Sequence, residues 1–270
     1  MINVLLPLEL DLGSSIAIRY AEILSDLIEM SLQSVHVVVP DSKGPEPGTG
    51  WVRKTWENAL MNTDREEIQN FLELENAVRP RFFAPKILLG DRQEKLLNEL
   101  RRGPYDLFME SALPTFDLSD FHSLVSSRLY RHMPCPAVLL VKNLVKPEKT
   151  ALIIGDNVKW QSLIQSFFHI LNKPVSELDV LYCRFGGAGR QAQREENDAE
   201  ASLSEVGKIV TSSGWRLGAC REITEGPEGI AKQLREYTLV ASAVERNPKR
   251  RSPVVELLGR VLSPVLICWS

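Results

Sequence analysis

Metal-binding and redox chemistry have little to work with in this chain. Its four cysteines, Cys135, Cys183, Cys220 and Cys268, lie far apart and form no CxxC pair. Neither a zinc site nor a thioredoxin-like centre is expected, and buried, reduced thiols of a cytoplasmic protein are the plain reading. The four histidines, His36, His122, His132 and His169, show no metal-ligand spacing. His132 suits a helix end, where a cation meets the negative pole of the dipole. There is no G-x-S-x-G elbow, and the serines of Gly13 to Ser15 are accounted for by a helix N-cap. No acid and base stand at motif spacing, so no catalytic residue is assigned, and an enzyme such as a weak ATPase or pyrophosphatase ranks third among the functional readings. No apolar run approaches a bilayer span, and the opening MINVLLPLELD lacks a basic start and turns acidic at Glu9. A signal peptide and a membrane partner are therefore not expected, and the protein reads as soluble and cytoplasmic. The net charge of -3 gives bulk electrostatics no hold on nucleic acid.

What is present is organised around Val125 to Lys142, VSSRLYRHMPCPAVLLVK. Val125, Leu129 and Tyr130 recur at helical spacing, Arg128, Arg131 and His132 supply late-helix cations, and Pro134 and Pro136 end the helix. Ala137 to Val141 then read as a strand apolar on both faces, the mark of a covered, mostly parallel sheet. Upstream, strands are expected at Val4 to Leu8, Ser34 to Val39, Phe82 to Leu89 and Leu107 to Met109. Between them helices are expected over Ser14 to Ser31, over Trp51 to Ala77 in two pieces, and over Asp91 to Arg102. The Gly- and Pro-rich run Asp41 to Gly50 is a loop.

The order βαβαβαβαβ then runs a second time. YDLFMES at Tyr105 to Ser111 lies over YTLVASA at Tyr237 to Ala243, and PAVLL at Pro136 to Leu140 over PVLIC at Pro264 to Cys268. Two domains follow, 1–144 with a loop and helical insert at about 41–77, and 149–270, joined by a charged link containing Pro147. Each half is read as a five-stranded, mostly parallel α/β sheet with helices on both faces. Strands as apolar as Ala137 to Val141 and Pro264 to Trp269 must be covered, so the halves are expected to meet there as an internal pseudo-dimer, with a further homodimer possible. Trp51 and Trp56 are expected to cover a sheet edge rather than meet a partner.

With VLLPLE at Val4 to Glu9 and VSSRLYRHMPCPAVLLVK in place, the chain resembles a tandem universal stress protein over both halves. That resemblance implies a Rossmann-like, adenine nucleotide alpha hydrolase-like fold, frequent dimerisation through the last strand and, in one branch, ATP held by G-x2-G-x9-G-[ST] after the fourth strand. Aligned back from Pro134-Cys135-Pro136, those diagnostic positions carry Glu110, Leu113, Ser123 and Leu124, and Glu9 stands where the family uses an aspartate near base and ribose. A carboxylate where a triphosphate should lie, and side chains where backbone should approach, argue against ATP in the first half.

The second half leaves two readings open. Asp156 matches the family's acidic position, Arg251-Ser252 falls over the final Gly-[ST] pair, and Lys249, Arg250 and Arg251 lead into a Ser252-Pro253 helix start that suits an anion. A solvated basic loop with an ordinary cap explains the same residues. RFGGAGR at Arg184 to Arg190 lacks both GxGxxG and the P-loop lysine and reads as a connector, and the acidic Glu195, Glu196, Asp198 and Glu200 suit a helix start. The leading expectation is a non-enzymatic stress-response or signalling scaffold with degenerate nucleotide motifs and no cofactor. The alternative is a nucleotide-binding or phosphorylated-metabolite-binding module, taking ATP or AMP in the second half through Asp156, Arg250, Arg251 and Ser252.

Overall fold

A computed structural model describes residues 1–39, 50–75, 81–112, 117–155, 158–174, 176–185, 192–248 and 252–270, with backbone alone at 81–82 and 192–198. In the first half the strands are β1 (Ile2–Pro7), β2 (Met30–Val38), β3 (Arg81–Leu89), β4 (Leu107–Ser111) and β5 (Ala137–Val141). The helices between them are α1 (Leu12–Ser25), α2 (Trp51–Leu74), α3 (Arg92–Arg102), α4 (Leu118–Val125) and α5 (Arg128–His132). The second half adds β6 (Lys149–Ile154), α6 (Trp160–Ile170), β7 (Glu177–Arg184), α7 (Ala192–Ser212), β8 (Leu217–Thr224), α8 (Pro227–Gln233), β9 (Leu239–Val244), α9 (Pro253–Arg260) and β10 (Val265–Trp269).

Side-chain caps start several of these helices. Asp11 accepts from the amide of Ser14 at 2.8 Å, Asp91 from Glu94 at 2.9 Å and Asp117 from Asp120 at 2.8 Å, satisfying amides that the helix itself leaves free. Sequence expectations change locally at three places. The helix expected to run to Ser31 ends at Ser25, and β2 begins at Met30 rather than Ser34. α2 is one continuous helix, and the helix expected to cross Val125 is interrupted at Ser126–Ser127, where Ser127 caps a new start at α5.

The two expected sheets are a single one, ordered β3-β2-β1-β4-β5-β10-β9-β6-β7-β8. Each half is parallel within itself, and β5 meets β10 antiparallel. Every residue of these two strands is buried, so mutual pairing removes the two most apolar edges from water. The register corrects the sequence alignment by one residue. Phe108 pairs with Val138 and Val240 with Val265, so with Tyr105 over Tyr237, Val138 rather than Ala137 matches Val265. Leu139 and Leu266, equivalent on this count, then face each other across the seam, which places a pseudo-twofold axis between them. Sequence could not set this register, because a strand buried on both faces has no polar face to fix its phase.

Packing over the seam continues into the helices. α4 lies against α9, and a Cβ on Gly259 would stand 2.7 Å from Cδ1 of Leu118 and 3.2 Å from Cδ1 of Phe121, so glycine is what lets the two helices approach. Cys135, Cys183 and Cys268 are buried as expected, whereas Cys220 is exposed on the outer strand β8. Edge cover by the tryptophans is not what is found: Trp51 is 76% exposed and Trp56 39%. Their end of α2 runs past the packed surface, and Ile68 is the buried residue among those described in that helix. Among the described residues no helix is long and apolar enough to cross a membrane, and no group of three or more His, Cys, Asp and Glu could hold a metal ion.

Candidate functional site

In an open α/β sheet the crevice lies beyond the carboxyl ends of the strands. In the first half this is the region after β1 and β4, bounded by the starts of α1 and α3. Glu9 follows β1, and its neighbour Leu10 adopts a φ of 37° to turn the chain into α1, a conformation that costs a leucine energy and is held by the packed elements on either side. Glu110 lies inside β4, which runs two residues further than its apolar run suggests.

Arg92, the first residue of α3, reaches over both strands. Its Nε donates to Oε1 of Glu9 at 2.7 Å and its Nη2 to Oε1 of Glu110 at 2.6 Å, while the hydroxyl of Tyr130 donates to Oε2 of Glu110 at 2.6 Å. The Arg92 side chain is 31% exposed, Glu110 12% and Glu9 44%, so the pair deepens from rim to floor. Burial alone would depress the Arg92 guanidinium, but Glu110 and Glu9 outweigh it and raise its pKa. Burial, with the Glu110 carboxylate beside it, lifts the Tyr130 phenol well above its ordinary value. The phenol is therefore a donor and not a base. Each carboxylate has a partner, the bridging cation is shared between two acids, and charge-assisted bonds of this kind are the stronger class.

Arg92 and Tyr130 had no place in the sequence reading. A cation at a helix start is an unfavourable dipole position, which was the one signal that Arg92 serves something other than its own helix. Ser123 and Leu124 do not stand at a helix start, as the motif alignment required; both lie within α4, whose cap is Asp117. Leu113, Asp156, Arg250 and Arg251 lie outside the described residues.

The same crevice in the second half is built differently. Asp106 and Thr238 donate their amides to the carbonyls of Asn3 and Lys149, so Asn3 matches Lys149, and counting forward puts Gly155 at the place of Glu9. A Cβ there would stand 2.5 Å from the carbonyl oxygen of Cys183, leaving no room for a side chain. Ser242 matches Glu110 and is buried, with its hydroxyl donating to Ile153 O at 3.1 Å. Pro227 opens α8 as Arg92 opens α3. At the helix ends Met133 donates its amide to Leu129 O and Val261 to Leu257 O, so within the helices, before the one-residue offset of the strands, Leu258 of α9 matches Tyr130 of α5. Ser252 precedes α9 at the N-cap position, but its side chain makes no capping bond.

Cations from each half cross the seam. Nζ of Lys142 donates to the carbonyls of Leu258 (2.7 Å), Gly259 (3.3 Å) and Val261 (2.7 Å) and lies 5.0 Å from the centre of the Phe121 ring. Those carbonyls form the negative end of α9. Burial lowers the Lys142 pKa to about 8. On the opposite side, Arg246 donates to Met133 O at 2.6 Å and Cys135 O at 3.4 Å, with its guanidinium 5.4 Å from the centre of the Trp269 ring. Burial lowers its pKa too.

Over its full length this chain has the fold of a universal stress protein. It is similar to a universal stress protein from Archaeoglobus fulgidus DSM 4304, with a TM-score of 0.71 at 15% identity, covering 99% of this chain and 96% of that one. A functionally unknown protein, PA1789, from Pseudomonas aeruginosa PAO1 is similar at a TM-score of 0.57 and 13% identity, and a putative universal stress protein from Pseudomonas aeruginosa UCBPP-PA14 at 0.56 and 13%. Each of these covers 99% of this chain and 92% of its own. No family model and no curated protein matches the chain.

Proposed function

We propose that this protein is a non-catalytic scaffold of the universal-stress type, acting in stress response or signalling in the cytoplasm, whose first-half nucleotide crevice is closed by its own side chains. The observation that carries this reading is the Glu9–Arg92–Glu110–Tyr130 chain. It occupies the ends of β1 and β4 with two carboxylates and spends the local guanidinium on them. A triphosphate there would have to displace Arg92 and lie against Glu110, at a cost in desolvation and repulsion. Calorimetric titration of the protein with ATP and AMP is the test. Heats that survive Arg250→Ala/Arg251→Ala and vanish on Arg92→Ala, which removes the cation of the first crevice, would put nucleotide in the first half and end the proposal.

A second reading is favoured by the contrast between the halves. The positions that close the first crevice are Gly155, Pro227, Ser242 and Leu258 in the second, and the Ser252 hydroxyl is not engaged by its own helix. A nucleotide or phosphorylated metabolite would there be held by Arg250, Arg251 and the first amides of α9, with Asp156 turned to sugar or base. Binding lost in the Arg250→Ala/Arg251→Ala variant supports this reading, and equal binding by the variant removes it.

A further inference from the structure

The closed crevice of the first half is linked to the second half by an unbroken series of contacts. Trp269, at the end of β10, is 6% exposed and donates its amide to Pro136 O at 3.0 Å. Its ring meets the Tyr130 ring edge-on, with centroids 6.2 Å apart and planes at 88°, and Phe108 meets Tyr130 on another side at 6.0 Å and 85°. Arg246 lies over Trp269 and is anchored to the carbonyls at the end of α5, the helix that carries Tyr130. From Tyr130 the series runs through Glu110 to Arg92 and Glu9.

We propose that the closing strand of the second half is a clamp on the first-half crevice: Trp269, steadied by Arg246, holds Tyr130 against Glu110, and Glu110 so held keeps Arg92 folded over the crevice. The physical basis is packing. Tyr130 is fully enclosed, and a close-packed side chain moves only when a neighbour gives way. Take away the Trp269 indole and a cavity opens on the side from which Tyr130 is pressed. The phenol can then leave Glu110, which loses one of its two partners, and the hold on Arg92 weakens. Access to the first crevice is thereby governed by a residue more than a hundred positions downstream, and separation of the halves would open it. The inference rests on the reading that this crevice is shut.

The test is the rate at which phenylglyoxal modifies Arg92 in the full-length chain, measured by mass spectrometry against the exposed Arg216 of the same molecule. Trp269→Ala is expected to raise the Arg92 rate several-fold relative to Arg216. Tyr130→Phe, which keeps the ring and the seam and removes only the hydroxyl, is expected to raise it as well, and serves if Trp269→Ala does not fold. Lys142→Met loosens the seam from its other side and should leave the rate unchanged. Arg92 rates that stay at the wild-type value in the folded Trp269 and Tyr130 variants, or that rise equally in Lys142→Met, overturn the clamp. Those outcomes leave the scaffold proposal standing, whereas ATP bound in the first half removes that proposal whatever the labelling shows.

Discussion

The two crevices of this molecule share strands, helices and position, yet at the matched positions that are described one carries charge and the other does not. After β1 and β4, three ionised side chains and a phenol interlock. After β6 and β9, the matching places hold glycine, proline, serine and leucine, and the one hydroxyl is satisfied by a neighbouring strand. A duplicated fold preserves the backbone frame because both copies need the same core. It leaves the strand tips free to diverge, because they contribute little to that core. The seam shows the same freedom. One side is closed by a buried lysine on the end of α9, and the other by an arginine stacked on a tryptophan over the end of α5. Each device answers the same need, exposed helix-end carbonyls in a place with little water.

Substitutions at matched positions sharpen the contrast. Arg92→Ala leaves Glu110 nearly buried without its cation and is expected to cost about 3 kcal/mol in urea unfolding, while Pro227→Ala, at the matching helix start, should cost under about 1 kcal/mol. Equal losses would mean that the first-half network is no more than a surface feature.

The seam predicts a pH effect. Burial lowers the Lys142 pKa from its ordinary 10.5 to about 8, so between these values the unfolded chain binds the proton that the folded chain has given up. Stability from this group therefore rises with pH across that window. It is absent from Lys142→Met, and wild type should gain on the variant by on the order of 2 kcal/mol from pH 8 to 10. Cys135 and Cys183, whose thiols burial pushes up to about 12, act in the opposite sense: their contribution is whole below the unfolded thiol value and is lost as pH rises through it. The difference between wild type and variant, not either curve alone, isolates the lysine. A difference that is flat with pH would show that the α9 carbonyls hold the lysine charged.

Tyr130→Phe removes one charge-assisted bond inside the first half and should cost about 1.5 kcal/mol. The smallest effect is expected at the second-half helix start: Ser252→Ala, with no side-chain cap bond to lose, should change stability by less than about 0.5 kcal/mol. A larger loss there would show the hydroxyl capping α9 after all and would weaken its availability to a ligand.

By itself the sequence determined the order of elements, the duplication and the apolar closing strands, because periodicity, prolines and turn residues act over a few neighbouring positions. It also marked Glu110 as a carboxylate in a place that suits a phosphate poorly. It did not show that Arg92 and Tyr130 meet that carboxylate from 18 and 20 residues away, nor that Glu9 joins Arg92 across 83. Such partners are chosen by how helices lie over strands, and no spacing in the chain encodes them. The same holds for the seam, where the two expected sheets join into one and the alignment of β5 on β10, fixed by their pairing with β4 and β9, differs by one residue from the best match of letters. A strand apolar on both faces reads alike in either phase. Only the neighbouring strands' hydrogen bonds, and side chains arriving from the other half, decide between them.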